Sequence, residues 1–480
     1  MRIKFILPAL TEANSDNWRP IKYSLFPPLG LATLASFLRE DDEAEICDEH
    51  VELLSIDDEP DLVAIEVYVT SARRSFAIAD SYRRRGVPVV MGGLHVTACP
   101  EEALAHADTI VLGPAEEAWP RFLDDFRRGY AQKIYQSTRR DIAELPPMRR
   151  DLINSRNYLV PNSLVVSRGC PHNCDFCYTD SFFQQGKRFY TCSVEWALGE
   201  IERMPGRHLF FLDDNIFADR RFSSSLFHGM RGMGRIWQGA ATVRSILDTE
   251  LLDVAVEAGL RSLFVGFESL SQDAMLWHGK GHNLVSQYEE AIKALHDRGV
   301  MINASFVYGM EEDDETVFDT TVDWAIAMGL ETTTFHILTP YPGTGLYQSL
   351  EAQGRILNRD WDRYDTRHAV FAHPKMSTQT LEAGYWRSYK RFYKWSNIAR
   401  AARTKDRSLA SLRHLLYVAG WKKCDPIWSA IIKLRQLDLA LPSLERVLNG
   451  GDHGERQPRR GPATATRRHR KKIILGRTNT

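Results

Sequence analysis

Short apolar runs alternate with amphipathic stretches through the first 128 residues. The runs IKFIL, AEICD, LVAIEV, PVVMGG and TIVLG have the length and branched-residue content of buried strands. Between them, residues 29–40 (LGLATLASFLRE) and 72–86 (ARRSFAIADSYRRRG) carry apolar positions at helical spacing. Buried strands separated by helices predict a doubly wound parallel sheet of about five strands, helices on both faces. Ligands of such sheets sit outside the carboxyl ends of the strands. There the chain offers Pro27-Pro28-Leu29-Gly30, Tyr68-Val69-Thr70, Gly92-Gly93-Leu94-His95-Val96-Thr97 and Gly113-Pro114-Ala115-Glu116. Glycine lets a flat or anionic ligand approach the backbone closely.

The pattern breaks at residues 131–160, where the paired prolines and mixed charge of AELPPMRRDLINSRNY mark a linker. It resumes over 161–375. SLVVS, RHLFFLD, WQGAAT, SLFVGFES, INASFVYG and TTTFHILTP read as strands, separated by helical patterns such as SVEWALGEIERM and DDETVFDTTVDWAIAMG. Six consecutive units predict a partial parallel (β/α)6 barrel with its site at the carboxyl ends of the strands. Residues 376–450 read as helical. Tyr385, Tyr389, Phe392 and Tyr393 fall on one helix face, with Arg387, Lys390, Arg391 and Lys394 mainly between them. A core-facing stripe with a solvated basic side is the simplest reading. A lid, or a face for a membrane or polyanion, is the alternative.

Composition narrows the class. The chain has 480 residues, 44% hydrophobic and 26% charged, enough for ordinary cores. No uncharged apolar run approaches the length of a membrane span. MRIKFILPAL is too short an apolar run for a secretion signal and reads as a first strand. Seven scattered cysteines do not form a disulfide framework and point to a reducing, cytoplasmic setting. The net charge of −1 conceals nine Lys or Arg and no acid between Arg456 and Arg477, which leaves the remainder near −10 (−1 minus 9). Residues 451–480 read as a disordered basic tail, a solvated terminus before it is a nucleic-acid or lipid contact.

The densest chemistry is GCPHNCDFCY, residues 169–178, directly after the first barrel strand. Its spacing is C-x3-C-x2-C. A structural zinc site wants four ligands, usually as two separated pairs, so zinc requires His172 as the fourth. A four-iron cluster held by three thiolates leaves one iron open to an external chelating ligand. That arrangement suits reaction better than electron carriage.

This motif, with the aromatic Phe176 before its last cysteine and a βα barrel around it, resembles the radical S-adenosylmethionine (SAM) superfamily. The resemblance implies that Cys170, Cys174 and Cys177 hold a [4Fe–4S] cluster. SAM then chelates the open iron and is cleaved to a 5′-deoxyadenosyl radical. It also implies SAM contacts at the ends of later strands. Asp213 and Asp214 in FFLDDN would lie near the amino group, Arg244 in ATVR would pair with the carboxylate, and Glu268 and Ser269 in GFES would meet the ribose. VYGM and LTPYPGTGLY would supply the adenine-side and closing loops. FPPLGLATLASFL and GGLHVTACPEEAL resemble the Rossmann-like cobalamin-binding domain that precedes the barrel in one large class of these enzymes. Leu29, Gly30, Thr70, Gly92, Gly93, His95 and Gly113 to Glu116 would then line the corrin and its nucleotide tail. The D-x-H-x-x-G segment that supplies a cobalt-ligating histidine elsewhere is absent from the first 130 residues.

The α/β chain is therefore expected to be a cobalamin-dependent radical SAM enzyme methylating an unactivated carbon of a small molecule, lipid or peptide. An electron donor such as flavodoxin or ferredoxin is implied. A non-methylating rearrangement, cyclisation or oxidation needs the same cofactors. Modification of tRNA is disfavoured: only Cys47 and Cys99 precede the motif, where the related thiolation enzymes carry three more cluster cysteines, and the C-terminal region looks helical. Cys192 reads as a bystander at a helix start.

Overall fold

The run of apolar residues at 2–7 forms β1 (Arg2–Leu7), which pairs with β2 (Glu43–Asp48) on one side and β3 (Leu62–Glu66) on the other. β4 (Val89–Gly92), β5 (Thr109–Leu112) and β6 (Ile134–Gln136) complete a parallel sheet in the order β2-β1-β3-β4-β5-β6. The computed structural model describes residues 1–11, 25–138, 140–405, 408–420 and 445–448. The basic tail expected at 451–480, Cys424 and most of 421–450 lie outside the described residues. Strand alternation divides the apolar residues between two layers. Ile6, Val63, Ile65, Met91 and Ile110 pack beneath one set of helices, and Ile3, Phe5, Leu62, Val90 and Val111 beneath the other. The sheet has six strands rather than five, because a short strand forms inside the region read as linker. Strand order reverses between β1 and β3, which opens a crevice at their carboxyl ends.

The second sheet is also all parallel. β7 (Ser163–Leu164), β10 (His208–Phe211), β11 (Ile236–Ala241), β12 (Leu260–Glu268), β13 (Met301–Tyr308) and β14 (Thr332–Ile337) follow one another in chain order, a partial barrel of six strands. The first strand is shorter than SLVVS suggests. The Asp213 carboxylate, not a neighbouring strand, accepts the Val166 and Ser167 N–H groups, Ser167 at 2.6 Å. The chain leaves the sheet there and forms a separate antiparallel ribbon from β8 (Ser167–Gly169) and β9 (Phe189–Thr191). The cysteine loop projects from this ribbon, and its return is clamped by buried Arg140, which donates to Phe183 O and Lys187 O at 2.8 and 2.9 Å.

Beyond β14 the chain crosses back to the N-terminal unit. Trp361 Nε1 donates to Glu102, and Thr11 Oγ1 donates to Asp362 at 2.9 Å. Helices Thr378–Phe392, Trp395–Ala402 and Ser408–Val418 then cover the barrel. The aromatic stripe is core-facing: Tyr385 and Phe392 are buried, Tyr389 OH accepts from Phe335 N, and Tyr393 OH donates to Thr333 O. On its outer side Arg391 pairs with Asp319 and Asp323. Among the described residues no helix is long and apolar enough to cross a membrane.

Candidate functional site

A cavity of about 420 Å³ lies where the carboxyl ends of the two sheets face each other. Its N-terminal wall includes Leu29, Gly30, Gly92, Gly93 and Gly113 to Glu116, eight of the ten positions expected to meet a corrin. Its barrel wall includes Ser167, Arg168, Tyr178, Asp213 and Asp214. Gly93 is required by its backbone: φ is 111°, and a Cβ there would stand 2.8 Å from Val67 O. The other two expected positions lie behind this wall. Thr70 is buried, with its carbonyl accepting from Thr11 Oγ1 at 2.8 Å. His95 is fully buried, its Nε2 2.9 Å from Glu102 Oε2 and its ring against Trp361. It does not line the cavity. Its Nδ1 has no partner among the described residues, and Glu102 already accepts from Trp361, so the trio reads as a latch between elements.

Glu116 does not stand free. It pairs with Arg168 at 2.7 Å and ties the N-terminal sheet to the ribbon. One further polar residue on the N-terminal wall, Glu66, escaped the sequence reading. Glu66, the last residue of β3, hydrogen-bonds with Tyr68, and burial pushes its carboxyl up to about 7. A lone acid closing the apolar run LVAIEV, next to the quoted Tyr68-Val69-Thr70, was the available signal. On the barrel wall, Tyr178 OH donates to Asp214 at 2.7 Å, and burial raises that carboxyl as well. Asp213 is fully engaged: besides the two backbone N–H groups it accepts from Ser167 Oγ, and burial pushes its carboxyl up to about 6. One aspartate therefore shapes the strand end and its neighbour faces the cavity.

The three motif cysteines are free, half-buried thiols on one loop. Cys177 N donates to Cys174 O at 3.1 Å, and Thr179 Oγ1 donates to Cys177 Sγ at 3.3 Å. The loop is held from outside. Leu346 N donates to Asp175 O, Asp175 N donates to His278 O, and His278 Nδ1 lies 2.9 Å from Asp175 Oδ1. Phe176 packs edge-on against the His278 ring at 5.8 Å. His172 stacks on His282 at 3.4 Å. Burial pushes the Cys170 thiol up to about 11 and Cys174 up to about 12. Buried thiols of this kind release their protons when a metal takes them. Three sulfur donors on one loop fit the three-thiolate side of a [4Fe–4S] cluster. The glycine-edged cavity beside them fits a large planar ligand.

Further round the barrel, Arg244 lies in a short helix after β11 (Val243–Ile246), is exposed, and forms no ion pair among the described residues. Glu268 ends β12 with φ 62°, the left-handed region, where the register with β13 shifts. Its carboxylate accepts from Lys280, a buried cation that the sequence reading did not single out. Ser269 Oγ accepts from Ser271 N at 3.1 Å. Cys192 is buried and packs in the barrel core, as a bystander would.

Comparison with known proteins supports the two-part division. The B12 binding domain model matches residues 23–123, and the Radical SAM superfamily model matches residues 164–325. The chain is 28% identical over 72% of its length to bacteriochlorophyllide d C-12(1)-methyltransferase of Chlorobaculum tepidum, covering 77% of that protein. It is 27% identical to the C-8(2)-methyltransferase of the same organism, over 80% of this chain and 89% of that one. Among solved structures, the radical SAM methyltransferase TsrM of Kitasatospora setae superposes with a TM-score of 0.64 at 14% identity, covering 90% of this chain and 98% of that one. The cobalamin-dependent radical SAM enzyme OxsB superposes at 0.65 with 13% identity, over 94% and 81%. At such identities these two likenesses speak for the fold alone.

Proposed function

The chain belongs to the radical SAM enzymes that carry an N-terminal cobalamin-binding domain, and from that premise we propose that it transfers a methyl group to an unactivated carbon of a small molecule or lipid. Its cofactors are SAM, a [4Fe–4S] cluster and cobalamin. When bound, they supply the electron that cleaves SAM, the resulting carbon radical and the methyl carrier. The observation that carries the reading is the cavity itself, because one wall is the glycine edge of the cobalamin-type sheet and the other is the barrel end beside the cysteine loop. The methyl-transfer assignment draws support from the named activities of the relatives, which include a hopanoid C-2 methylase of Rhodopseudomonas palustris, 24% identical over 70% of this chain.

In this reading Cys170, Cys174 and Cys177 hold the cluster, and Phe176 shields it. Arg244, in no ion pair among the described residues, takes the SAM carboxylate in its guanidinium fork. Asp214 accepts from the SAM amino group, and Glu268 and Ser269 from the ribose. Asp213 holds the strand end in shape. Leu29, Gly30, Gly92, Gly93 and Gly113 let the corrin lie against backbone, while Glu116 with Arg168 closes the wall. Thr70 and His95 support that wall from behind. Residues 1–130 are the cobalamin domain, 131–160 the linker and 161–375 the barrel, and the described helices from Thr378 to Val418 are its cover. The electron comes from a low-potential donor of the flavodoxin or ferredoxin class. A reducing cytoplasm suits the six described cysteines, all free.

The test is product stoichiometry. The reconstituted protein is given SAM, a chemical reductant and a panel of apolar acceptors. Methyl transfer to an unactivated carbon yields S-adenosylhomocysteine and 5′-deoxyadenosine in equal amounts. 5′-Deoxyadenosine with product but no S-adenosylhomocysteine would instead indicate the non-methylating chemistry.

A further inference from the structure

Glu268 and the cysteine loop are far apart in sequence, yet one short segment, residues 278–283, holds both. On one side, the Lys280 ammonium donates to the Glu268 carboxylate, with each side chain about one-tenth exposed (10% and 10%). Gly266 makes room for the pair: a Cβ there would stand 2.3 Å from Glu268 Oε1 and 3.0 Å from Lys280 Nζ. Asn283 Nδ2 fastens the segment to the same strand by donating to Gly266 O at 2.9 Å. On the other side, Gly279 adopts φ 68° against the cysteine loop, where a Cβ would stand 2.7 Å from Asn173 O. His278 binds Asp175 through both its carbonyl and its ring.

The Glu268 backbone lies in a conformation that a side-chain-bearing residue enters only when its surroundings impose it. A buried carboxylate also needs a partner. Lys280 supplies the charged partner, beside a longer contact from Ser305 Oγ at 3.5 Å, and it does so from the segment that grips the cysteine loop. We propose that Lys280 is a positioning residue, which fixes the Glu268 carboxylate for the ribose of SAM in register with the cluster-bearing loop. This rests on the reading of Glu268 as a SAM contact. The apparent alternative is a pair that only stabilises the fold. Buried pairs are poor stabilisers, however, and an apolar pair of similar volume would serve at least as well.

The experiment uses the full chain, reconstituted anaerobically with iron and sulfide. It measures iron content, SAM affinity by equilibrium dialysis, and the electron paramagnetic resonance spectrum of the reduced cluster with and without SAM. Lys280→Met is expected to retain about four irons and to bind SAM roughly ten-fold more weakly or worse, with a diminished spectral response to SAM. Lys280→Arg is expected to restore most of both. Because Lys280 acts through Glu268, the double variant Glu268→Gln/Lys280→Met is expected to bind SAM no more weakly than Glu268→Gln alone. Wild-type affinity in Lys280→Met, or a double variant weaker than Glu268→Gln by the full Lys280→Met effect, overturns the proposal. If Lys280→Met loses its iron, the double variant decides, since it buries no unpaired charge: affinity equal to Glu268→Gln supports the proposal and a further loss overturns it. Wild-type affinity in Glu268→Gln is a different result, one that overturns the underlying reading of Glu268 first.

Discussion

The two walls of the cavity are made of opposite materials. The N-terminal wall is mostly backbone and apolar side chain, with Gly92, Gly93 and Gly113 at strand ends, Gly30 in the first turn of a helix, and an ion pair, Glu116–Arg168, reaching across to the other side. The barrel wall is charged, and its carboxylates are already engaged, Asp213 by backbone N–H groups and Asp214 by Tyr178; beyond the cavity, further round the barrel, Lys280 engages Glu268 in the same way. A wall of glycines accepts a large flat ligand by letting it approach the chain. Carboxylates buttressed in this way, with the guanidinium of Arg244 further round the barrel and in no ion pair among the described residues, suit a small zwitterion held at fixed points. The difference teaches that substitutions on the two sides fail in different ways, by steric exclusion on one and by lost registration on the other.

The largest effect is expected from the barrel side. Cys174→Ala leaves two thiols on the loop and is expected to reduce iron from about four per chain to less than one, abolishing 5′-deoxyadenosine formation while cobalamin is still retained. Gly93→Val is the counterpart on the other wall. It places a branched side chain on a φ of 111° and into the Val67 backbone. It should destabilise the N-terminal unit by about 2 kcal/mol or more and remove cobalt, with iron content unchanged. Loss of both cofactors from either single variant would break the distinction between the walls.

Smaller effects sharpen it. Asp213→Asn keeps one acceptor oxygen for three donors and should lose about 1–3 kcal/mol of stability in denaturant titration. SAM affinity should fall less than it does in Asp214→Asn. Glu66→Gln gives the smallest and most specific signal. The Glu66 carboxyl is raised from 4.5 to about 7 in the folded protein. The folded state therefore holds a proton that the unfolded state has released. Stability from this group is present below about 4.5 and declines as pH rises towards 7. Glu66→Gln should flatten that decline, and an unchanged slope would remove Glu66 from the account.

Most of the fold could be read from the chain because periodicity reports burial on one or both faces. The five apolar runs of residues 1–113 and the six of 163–340 became the strands expected of them. β6 was missed because Ile134–Gln136 is only three residues long and lies at a sheet edge, where little apolar patterning is required. The early end of β7 was missed because its cause, the Asp213 carboxylate, lies 46 residues further along the chain. The same holds at the site. The cysteines and glycines were legible because their spacing or backbone freedom is itself the signal. Lys280, Arg168 and Tyr178 were not, because each is defined by a partner that only the folded chain brings to it.

The central claim is that one cavity serves a cobalamin domain and a cluster-bearing barrel together. The most direct test is the metal content of the protein after anaerobic reconstitution with iron, sulfide and hydroxocobalamin, followed by desalting. The account predicts about four iron and one cobalt per chain. Four iron without cobalt would contradict the assignment of the glycine wall, and stoichiometric zinc with little iron would contradict the reading of Cys170, Cys174 and Cys177.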